Sequence, residues 1–184
     1  AQGVRDNAAA IDALGAKQKS LKEELKELVL ISQTVRTIAH RGDDLDAPQN
    51  MSAAYIKARQ RGHTIAENDL TRTKDGVYVV WHDTTLARLG NLKDVDGRFL
   101  YCSENDMFFW FDAETEVYVG ENYEELKTQP VNLVQCRGAD YSIEKMNFSL
   151  LKKLDFGSWF ASKFAGEQIL TFREWVMLCK RLGM

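Results

Sequence analysis

One strand–helix–strand pattern constrains the fold of this chain more than any other feature of its sequence. The apolar run at 35–40 predicts a short buried strand, and residues 64–70 predict a second strand. Between them a helix is predicted at 51–60, with Asn50 and Ser52 as candidate N-cap residues. Two strands joined in this way by a helix run parallel, so the pattern predicts a βαβ unit and an α/β fold.

The N-terminal segment, residues 1–34, has a different pattern, a heptad repeat rich in helix-forming residues. Polar Asn7 and Gln18 interrupt an otherwise apolar set of a and d positions. The apolar members of that set are Val4, Ile11, Leu14, Leu21, Leu25 and Leu28. Two interpretations stay open: a coiled coil through residues 4–28 that makes a homo-oligomer with a helical stalk, or one amphipathic helix packed on its own domain.

Residues 91–140 are dense in aromatic side chains and polar turns, which predicts a small β-rich insertion. Its predicted strands are 99–101, 107–111 and 116–119. The insertion is interpreted as structural, as partner-facing or as sugar-binding. Helical patterns return from residue 149, and a longer helix is predicted at 171–181 with Gly183 as its stop.

Two carboxylates lie at the end of the second predicted strand. Residues two apart on a strand share a face, so Glu67 and Asp69 are expected to point the same way. A carboxylate pair in that position suits a hard divalent cation, Mg²⁺ or Ca²⁺. A solvated strand end or a helix N-cap would explain the same pair without a metal.

His82 ends the next apolar run, and its direction depends on the turn before that run. A four-residue hairpin loop at 73–76 would pair Asp69 with Val80 and Glu67 with His82 on one side of the ladder. A loop of another length would turn His82 away. If the third strand is instead parallel, His82 reaches the same edge from its carboxyl end.

His40 ends the first predicted strand, and Arg41 and Gly42 follow it directly. The planar fork of Arg41 suits a phosphate, and Gly42 permits a close backbone approach. Two histidines, one arginine and a carboxylate pair together indicate phosphodiester cleavage. In that chemistry the histidines move protons, while a metal and Arg41 stabilise charge on the phosphoryl oxygens.

Charge and hydropathy exclude two classes of partner. The formal net charge is −3, whereas a general nucleic-acid-binding protein carries a basic excess. No apolar run approaches the roughly 18 residues of a membrane span. We therefore expect neither a nucleic-acid partner nor a membrane span.

The motifs from His40 to Arg88 closely resemble the first part of the glycerophosphodiester phosphodiesterases. The family pattern is H-R-G, P-E-N-T, E-x-D, T-K-D-G and H-D, and its matches here are 40–42, 67–69, 73–76 and 82–83. A further likeness covers residues 151–174. The resemblance implies a (β/α)₈ TIM barrel, of which this chain would be the N-terminal part.

The same resemblance implies roles for individual residues. His40 and His82 would be the general acid and base, and Arg41 would contact the substrate phosphate. Glu67 and Asp69 would be metal ligands. The glycerol hydroxyl next to the phosphate would attack first and give a cyclic phosphate that water then opens.

Two departures from the family pattern bear on activity. The motif P-E-N-T is here 48–51 with Gln49 in place of the carboxylate, which would weaken the metal site or alter substrate choice. A barrel of this type needs roughly 250 residues, more than the 184 of this chain. We therefore expect the third acidic ligand to lie beyond Met184, and residues 1–184 alone to show no diesterase activity.

Three functional hypotheses result. The leading one is a metal-dependent glycerophosphodiesterase carried on a helical stalk, which would suit a phage-tail or surface assembly acting on polyglycerol-phosphate teichoic acid. A soluble enzyme acting on deacylated phospholipid is the second. The third is a catalytically degenerate barrel used for binding or assembly, motivated by Gln49.

Overall fold

The computed structural model describes residues 2–105 and 107–184, and the side chains of residues 7, 11–31, 35–105 and 107–184. The chain divides into two compact units, Ala1–Thr37 and Ile38–Met184. The first unit is the helix α1, Gln2–Thr34. Along it the heptad side chains at positions 11, 14, 21, 25 and 28 are 56–67% exposed. The side chain of Val4, also in the heptad set, lies outside the described residues.

The predicted βαβ unit is confirmed. Strand β1, Ile38–Ala39, pairs in parallel with β2, Ile65–Ala66, and helix α2, Ser52–Gln60, connects them. Strand β1 is much shorter than the predicted 35–40, and Ile38 is 60% exposed rather than buried. In the described part of the chain β1 pairs with β2 alone and over two residues only, so its hydrogen-bonded ladder is short and its other edge is open.

The start of α2 differs from its predicted cap. Met51 is the N-cap residue and makes no side-chain cap hydrogen bond. The carboxylate of Glu167, distant in sequence, lies close enough to the start of α2 for the backbone N–H groups of Ser52 and Ala53 to stabilise its charge. Burial of Glu167 is the larger effect and raises the pKa of its carboxyl group. The N-cap prediction for Asn50 and Ser52 is wrong, because a long-range contact replaces the local one.

Strands β3, Leu70–Arg72, and β4, Tyr78–Val80, form an antiparallel hairpin. The observed pairing is Leu70 with Val80 and Arg72 with Tyr78, one residue away from the predicted register. Thr73 closes the loop with Val77 through hydrogen bonds in both directions, because Gly76 takes the positive φ of 88° that a three-residue loop requires. The predictions that Glu67 faces His82 and that the third strand is parallel are therefore wrong.

The side chain of Asp75 holds the hairpin loop against a helix far along the chain. Oδ1 of Asp75 accepts hydrogen bonds from Oγ1 of Thr73 at 2.6 Å and from the backbone N–H of Phe148 at 2.9 Å. Phe148 is the first residue of α3, Phe148–Leu151. The K-D-G motif thus supplies an N-terminal cap for a helix far along the chain.

We expect Asp75→Ala to lower the free energy of unfolding by about 1 kcal/mol at neutral pH, as loss of a helix cap does. The hydrogen bond from Thr73 is the main effect that lowers the pKa of Asp75. A depressed folded-state pKa contributes stability above the unfolded value of about 3.9 and loses it as pH falls through the folded value. The difference between wild type and Asp75→Ala, measured by denaturant titration, should therefore shrink below about pH 4. Equal effects from Asp44→Ala, at an exposed loop aspartate, would contradict this.

A four-stranded antiparallel sheet occupies much of the predicted β-rich region. Its strands are β5, Phe99–Cys102, β6, Phe108–Asp112, β7, Val117–Gly120, and β8, Val134–Gln135, in the order β7-β6-β5-β8. The three predicted strands are present, and the two-residue β8 was too short to predict. Leu100 and Trp110 are fully buried in the same core cluster as Trp81 and Phe156. The status of this sheet as an insertion in a barrel stays a prediction.

Helix α4, Phe172–Leu182, confirms the last predicted element. Thr171 and Glu174 form a capping box at its start, and Gly183 ends it in the left-handed conformation with φ 68°. Leu178 packs with Tyr55 of α2 and Val80 of β4 in a second core cluster. Short 3₁₀ helices lie at Ala87–Leu89, Gly138–Asp140, Ile143–Lys145 and Ser162–Phe164. None of the described helices is long and apolar enough to cross a membrane.

Candidate active site

Three chain segments converge where strands β1, β2 and β4 end. The parallel pair β1–β2 is extended by a hydrogen bond from the N–H of Glu67 to the carbonyl of Ala39, 3.0 Å. Strand β4 is antiparallel to β3, so it ends beside the residues that join β2 to β3. The N–H of Trp81 accordingly donates to the carbonyl of Asp69, 3.0 Å. His40, the Glu67–Asp69 segment and His82 therefore follow strand ends along one edge. The sequence predicted the same edge for these residues, but from a hairpin register that differs by one residue from the observed one.

Arg41 connects both predicted metal ligands. Its backbone, held at a positive φ of 56°, directs the N–H to Oε2 of Glu67 at 3.1 Å. Nη1 donates to Oε1 of Gln49 at 3.3 Å, and Nε lies 2.9 Å from Oδ2 of Asp69. The Arg41–Asp69 contact is an ion pair by distance, although the Nε–H does not point at the carboxylate. Gln49 is thus an acceptor for Arg41 in the place where the family pattern has a carboxylate.

Asn50, for which the sequence predicted a helix-cap role, lies in the candidate site. It is 1% exposed, has a positive φ of 64°, and donates from Nδ2 to Oδ2 of Asp69 at 3.1 Å. The hydroxyl of buried Tyr55 lies 3.0 Å from Oδ1 of Asn50 and 3.1 Å from the carbonyl of Glu67. Burial raises the pKa of the Tyr55 hydroxyl, so it stays a donor. In the sequence the pattern around Asn50 is equally that of a helix cap, so nothing there distinguishes the two roles.

The two histidines have different surroundings. Nε2 of His40 lies 4.0 Å from Oε2 of Glu67, and the His40 side chain is 64% exposed. Nδ1 of His82 lies 2.8 Å from Oδ1 of Asp83, and the His82 side chain is 45% exposed. Both imidazole rings are open to a ligand from solution. Each ring also lies beside a carboxylate, Glu67 for His40 and Asp83 for His82.

Asp83 is in turn held by Arg88. Nε of Arg88 donates to Oδ2 at 2.9 Å and Nη2 to Oδ1 at 3.1 Å, a forked contact. Burial alone would raise the pKa of Asp83, but the hydrogen bonds from His82 and Arg88 and the Arg88 charge outweigh it and lower that pKa. Asp83 is therefore a carboxylate at neutral pH.

The predicted metal ligands are only a pair in this structure. Within the described residues, no group of three or more histidine, cysteine, aspartate or glutamate side chains is arranged to hold a metal ion. Glu67 and Asp69 nonetheless offer the hard oxygen atoms that Mg²⁺ and Ca²⁺ prefer. The contacts with Arg41 and Asn50 use Oε2 of Glu67 and Oδ2 of Asp69, so each carboxylate has its other oxygen to offer. The chemistry of this pair fits a divalent cation whose other ligands come from outside the pair.

Comparison with known proteins places these residues in a family. The model of the glycerophosphoryl diester phosphodiesterase family matches residues 40–184. A glycerophosphodiester phosphodiesterase from Caldanaerobacter subterraneus subsp. tengcongensis is 31% identical over 137 residues, which cover 74% of this chain and 37% of that protein. Glycerophosphodiester phosphodiesterase 1 from Rattus norvegicus is 48% identical over 54 residues, which cover 29% of this chain and 16% of that protein.

Solved structures show the same likeness. A phosphodiesterase from Oleispira antarctica, in complex with the product sn-glycerol-3-phosphate, matches with a TM-score of 0.52 at 25% identity over 83% of this chain and 43% of that one. A glycerophosphodiester phosphodiesterase from Agrobacterium tumefaciens matches with a TM-score of 0.53 at 22% identity over 81% and 44%. The chain thus spans less than half the length of these relatives and shares a TIM-barrel-like α/β fold with part of them. It belongs to the glycerophosphoryl diester phosphodiesterase family.

Proposed function

We propose that this chain carries the acid–base and phosphate-binding part of a metal-dependent glycerophosphodiester phosphodiesterase. The main support is the arrangement of its ionisable groups. His40 and His82 each follow the end of a strand at the same edge, and Arg41, next to His40, contacts both Glu67 and Asp69. Proton transfer at a phosphodiester needs an acid, a base and a cation for the phosphoryl oxygens, and these residues provide all three.

In the proposed reaction one histidine removes the proton from the glycerol hydroxyl next to the phosphate. The oxygen of that hydroxyl attacks phosphorus, and the bond to the leaving alkoxide breaks as the second histidine protonates it. The product is a cyclic phosphate. Water then opens the ring with the two histidines in exchanged roles, which yields glycerol 3-phosphate. Arg41, 17% exposed at its side chain, contacts a phosphoryl oxygen throughout.

Glu67 and Asp69 would hold the metal ion, Mg²⁺ or Ca²⁺. When bound, the ion supplies positive charge that stabilises the phosphoryl oxygens in the transition state. Asn50 and Tyr55 fix Asp69 and the backbone of Glu67, so this pair is ordered before any ion arrives.

The full-length protein should release glycerol 3-phosphate from glycerophosphocholine, and EDTA should lower the rate by about 100-fold or more, since the ion contributes several kcal/mol to the transition state. Addition of Mg²⁺ or Ca²⁺ should restore it. A coupled assay for glycerol 3-phosphate measures both. An undiminished rate in EDTA would contradict the proposed metal dependence. Tight binding of the diester without turnover would favour the non-catalytic alternative that Gln49 motivated.

We propose polyglycerol-phosphate teichoic acid as the specific substrate, hydrolysed by the chain as part of a phage-tail or cell-surface assembly. It is supported by the long helix α1, whose exposed heptad side chains suit a stalk. The repeating glycerol phosphates of this polymer carry the hydroxyl that the reaction needs. Turnover of the polymer should exceed that of glycerophosphocholine at equal phosphodiester concentration. The reverse preference would favour deacylated phospholipid as the substrate.

We also propose that the chain forms a homo-oligomer through residues 4–28. The exposed heptad leucines would then be the buried seam of a coiled coil. We expect Leu21→Glu with Leu25→Glu to reduce the mass in multi-angle light scattering to that of a single chain. Ala16→Glu with Ser20→Glu adds the same charge at outward heptad positions and should leave the oligomer intact. A wild-type mass equal to one chain would contradict this proposal.

A further inference from the structure

The turn after β4 contains a chain of contacts that the proposed reaction does not use. The segment between His82 and Arg88 includes Asp83, which contacts both of them. In the sequence, Arg88 closes the family-like run but has no assigned role. These contacts bear on which ring nitrogen of His82 carries the proton and which one faces a substrate.

The contacts begin at the histidine ring. Oδ1 of Asp83 lies 2.8 Å from Nδ1 of His82, and a carboxylate can only accept a hydrogen bond there. Nδ1 must therefore carry the proton. Nε2 is then the nitrogen left for a substrate, as a lone pair in the neutral ring and as N–H in the charged ring.

Arg88 also binds the Asp83 carboxylate. Its fork contacts both carboxylate oxygens, and its guanidinium carbon lies 4.7 Å above the ring centre of Trp159. Trp159 is itself fixed, because its Nε1–H donates to the carbonyl of Phe156 at 2.8 Å. A guanidinium clamped between a carboxylate and an aromatic face loses most of its rotational freedom.

The chain of contacts returns to the strand that carries the histidine. Phe156 is fully buried and packs edge-to-face on Trp81, with ring centres 5.3 Å apart. Trp81 directly precedes His82 and is 2% exposed. The backbone at His82 is thus fixed by the core, and its ring is fixed by Asp83.

We propose that Asp83 is a positioning residue for His82: clamped by Arg88 on Trp159, it holds the imidazole with Nδ1 protonated and Nε2 directed to the substrate. This inference rests on the proposed function, in which His82 transfers protons. His40 has no such support among the contacts described for it, since its Nε2 lies 4.0 Å from Glu67. The two histidines therefore differ in how strictly their rings are oriented.

The tautomer of His82 tests the positioning directly and without any assay of turnover. In long-range ¹H–¹⁵N spectra of the ¹⁵N-histidine-labelled full-length protein at about pH 8, above the usual histidine pKa, His82 should be the Nδ1–H tautomer. The His82→Gln spectrum assigns its signals. In Asp83→Ala the signals should move toward the Nε2–H tautomer, and in Thr84→Ala, an exposed neighbour in the same turn, they should not move. A wild-type His82 in the Nε2–H form overturns the proposal even if Asp83→Ala fails to fold.

Kinetics provide the second measurement. Asp83→Ala should lower kcat by about 10- to 100-fold, because the ring is no longer held in one tautomer and direction. KM should change little, since Asp83 does not contact the substrate. Arg88→Gln should give a smaller loss, and Thr84→Ala none. A kcat for folded Asp83→Ala within twofold of wild type overturns the proposal. If the wild type hydrolyses no diester, the proposed function fails, and the tautomer still decides the positioning.

Discussion

His82→Ala and His40→Ala are each expected to lower kcat for glycerophosphodiester hydrolysis by about 10²- to 10⁴-fold, the usual contribution of a general acid or base. Both rings are open to solvent at the edge where β1 and β4 end, so alanine removes the proton-transfer group without leaving a core cavity. Glycerol 3-phosphate release, measured at saturating metal and substrate, gives kcat for each variant. The change should appear in kcat rather than in the free energy of unfolding.

His63→Ala is the matched control, because His63 lies before β2, at the opposite end of that strand from Glu67. Its kcat should stay within about twofold of wild type, as it has no part in the proton transfers. In the double variant His40→Ala with His82→Ala, the losses should not add, since residues that act in one step are not independent. A single variant with a wild-type kcat would remove that histidine from the mechanism.

Gly42→Ala is expected to lower the free energy of unfolding by about 2–4 kcal/mol, from backbone strain and overpacking together. Gly42 has a φ of 85°, in the left-handed region that L side chains rarely adopt. An added Cβ would also lie 2.6 Å from Cβ and 2.7 Å from the carbonyl carbon of Ala54 in α2. The backbone of a helix cannot move aside cheaply, so the turn that contains Gly42 must move away from α2. Denaturant unfolding followed by tryptophan fluorescence measures the loss.

Gly62→Ala separates the two causes. Gly62 follows α2 with a φ of 93°, and an added Cβ there meets no atom within 4 Å. It should show only the strain, about 1 kcal/mol. Equal losses from both glycines would contradict the steric argument. The close backbone approach that Gly42 permits is, in this structure, to helix α2. A close approach to a ligand stays a prediction.

The parallel βαβ unit was predictable because it depends on local signals. Apolar runs of strand length, a helix of the right size and Gly62 after it all act within a few residues. The capping box of α4 was predictable for the same reason, since Thr171 and Glu174 are three residues apart. Hairpin register was not predictable, because a loop of three residues and one of four differ only in whether Thr73 joins the ladder.

The site shows the same division. The identities of His40, Arg41, Glu67, Asp69 and His82 followed from their motif and from where each strand ends. The use of Asn50 did not follow, because its local pattern is equally that of a helix cap. Only the fold brings Asn50 to Asp69, 19 residues along the chain, and Tyr55 to both Asn50 and the carbonyl of Glu67.

By itself the sequence determined the chemistry available to this protein: two histidines, an arginine and a carboxylate pair at strand ends, in a family pattern. The tertiary structure alone decided which of these groups contact one another. It placed Asp83 rather than Glu67 against His82, clamped Asp83 with Arg88 and Trp159, and brought Glu167 to the start of α2. The physical reason is that periodicity and turn chemistry act over a few residues, whereas these contacts depend on how distant segments pack in one core.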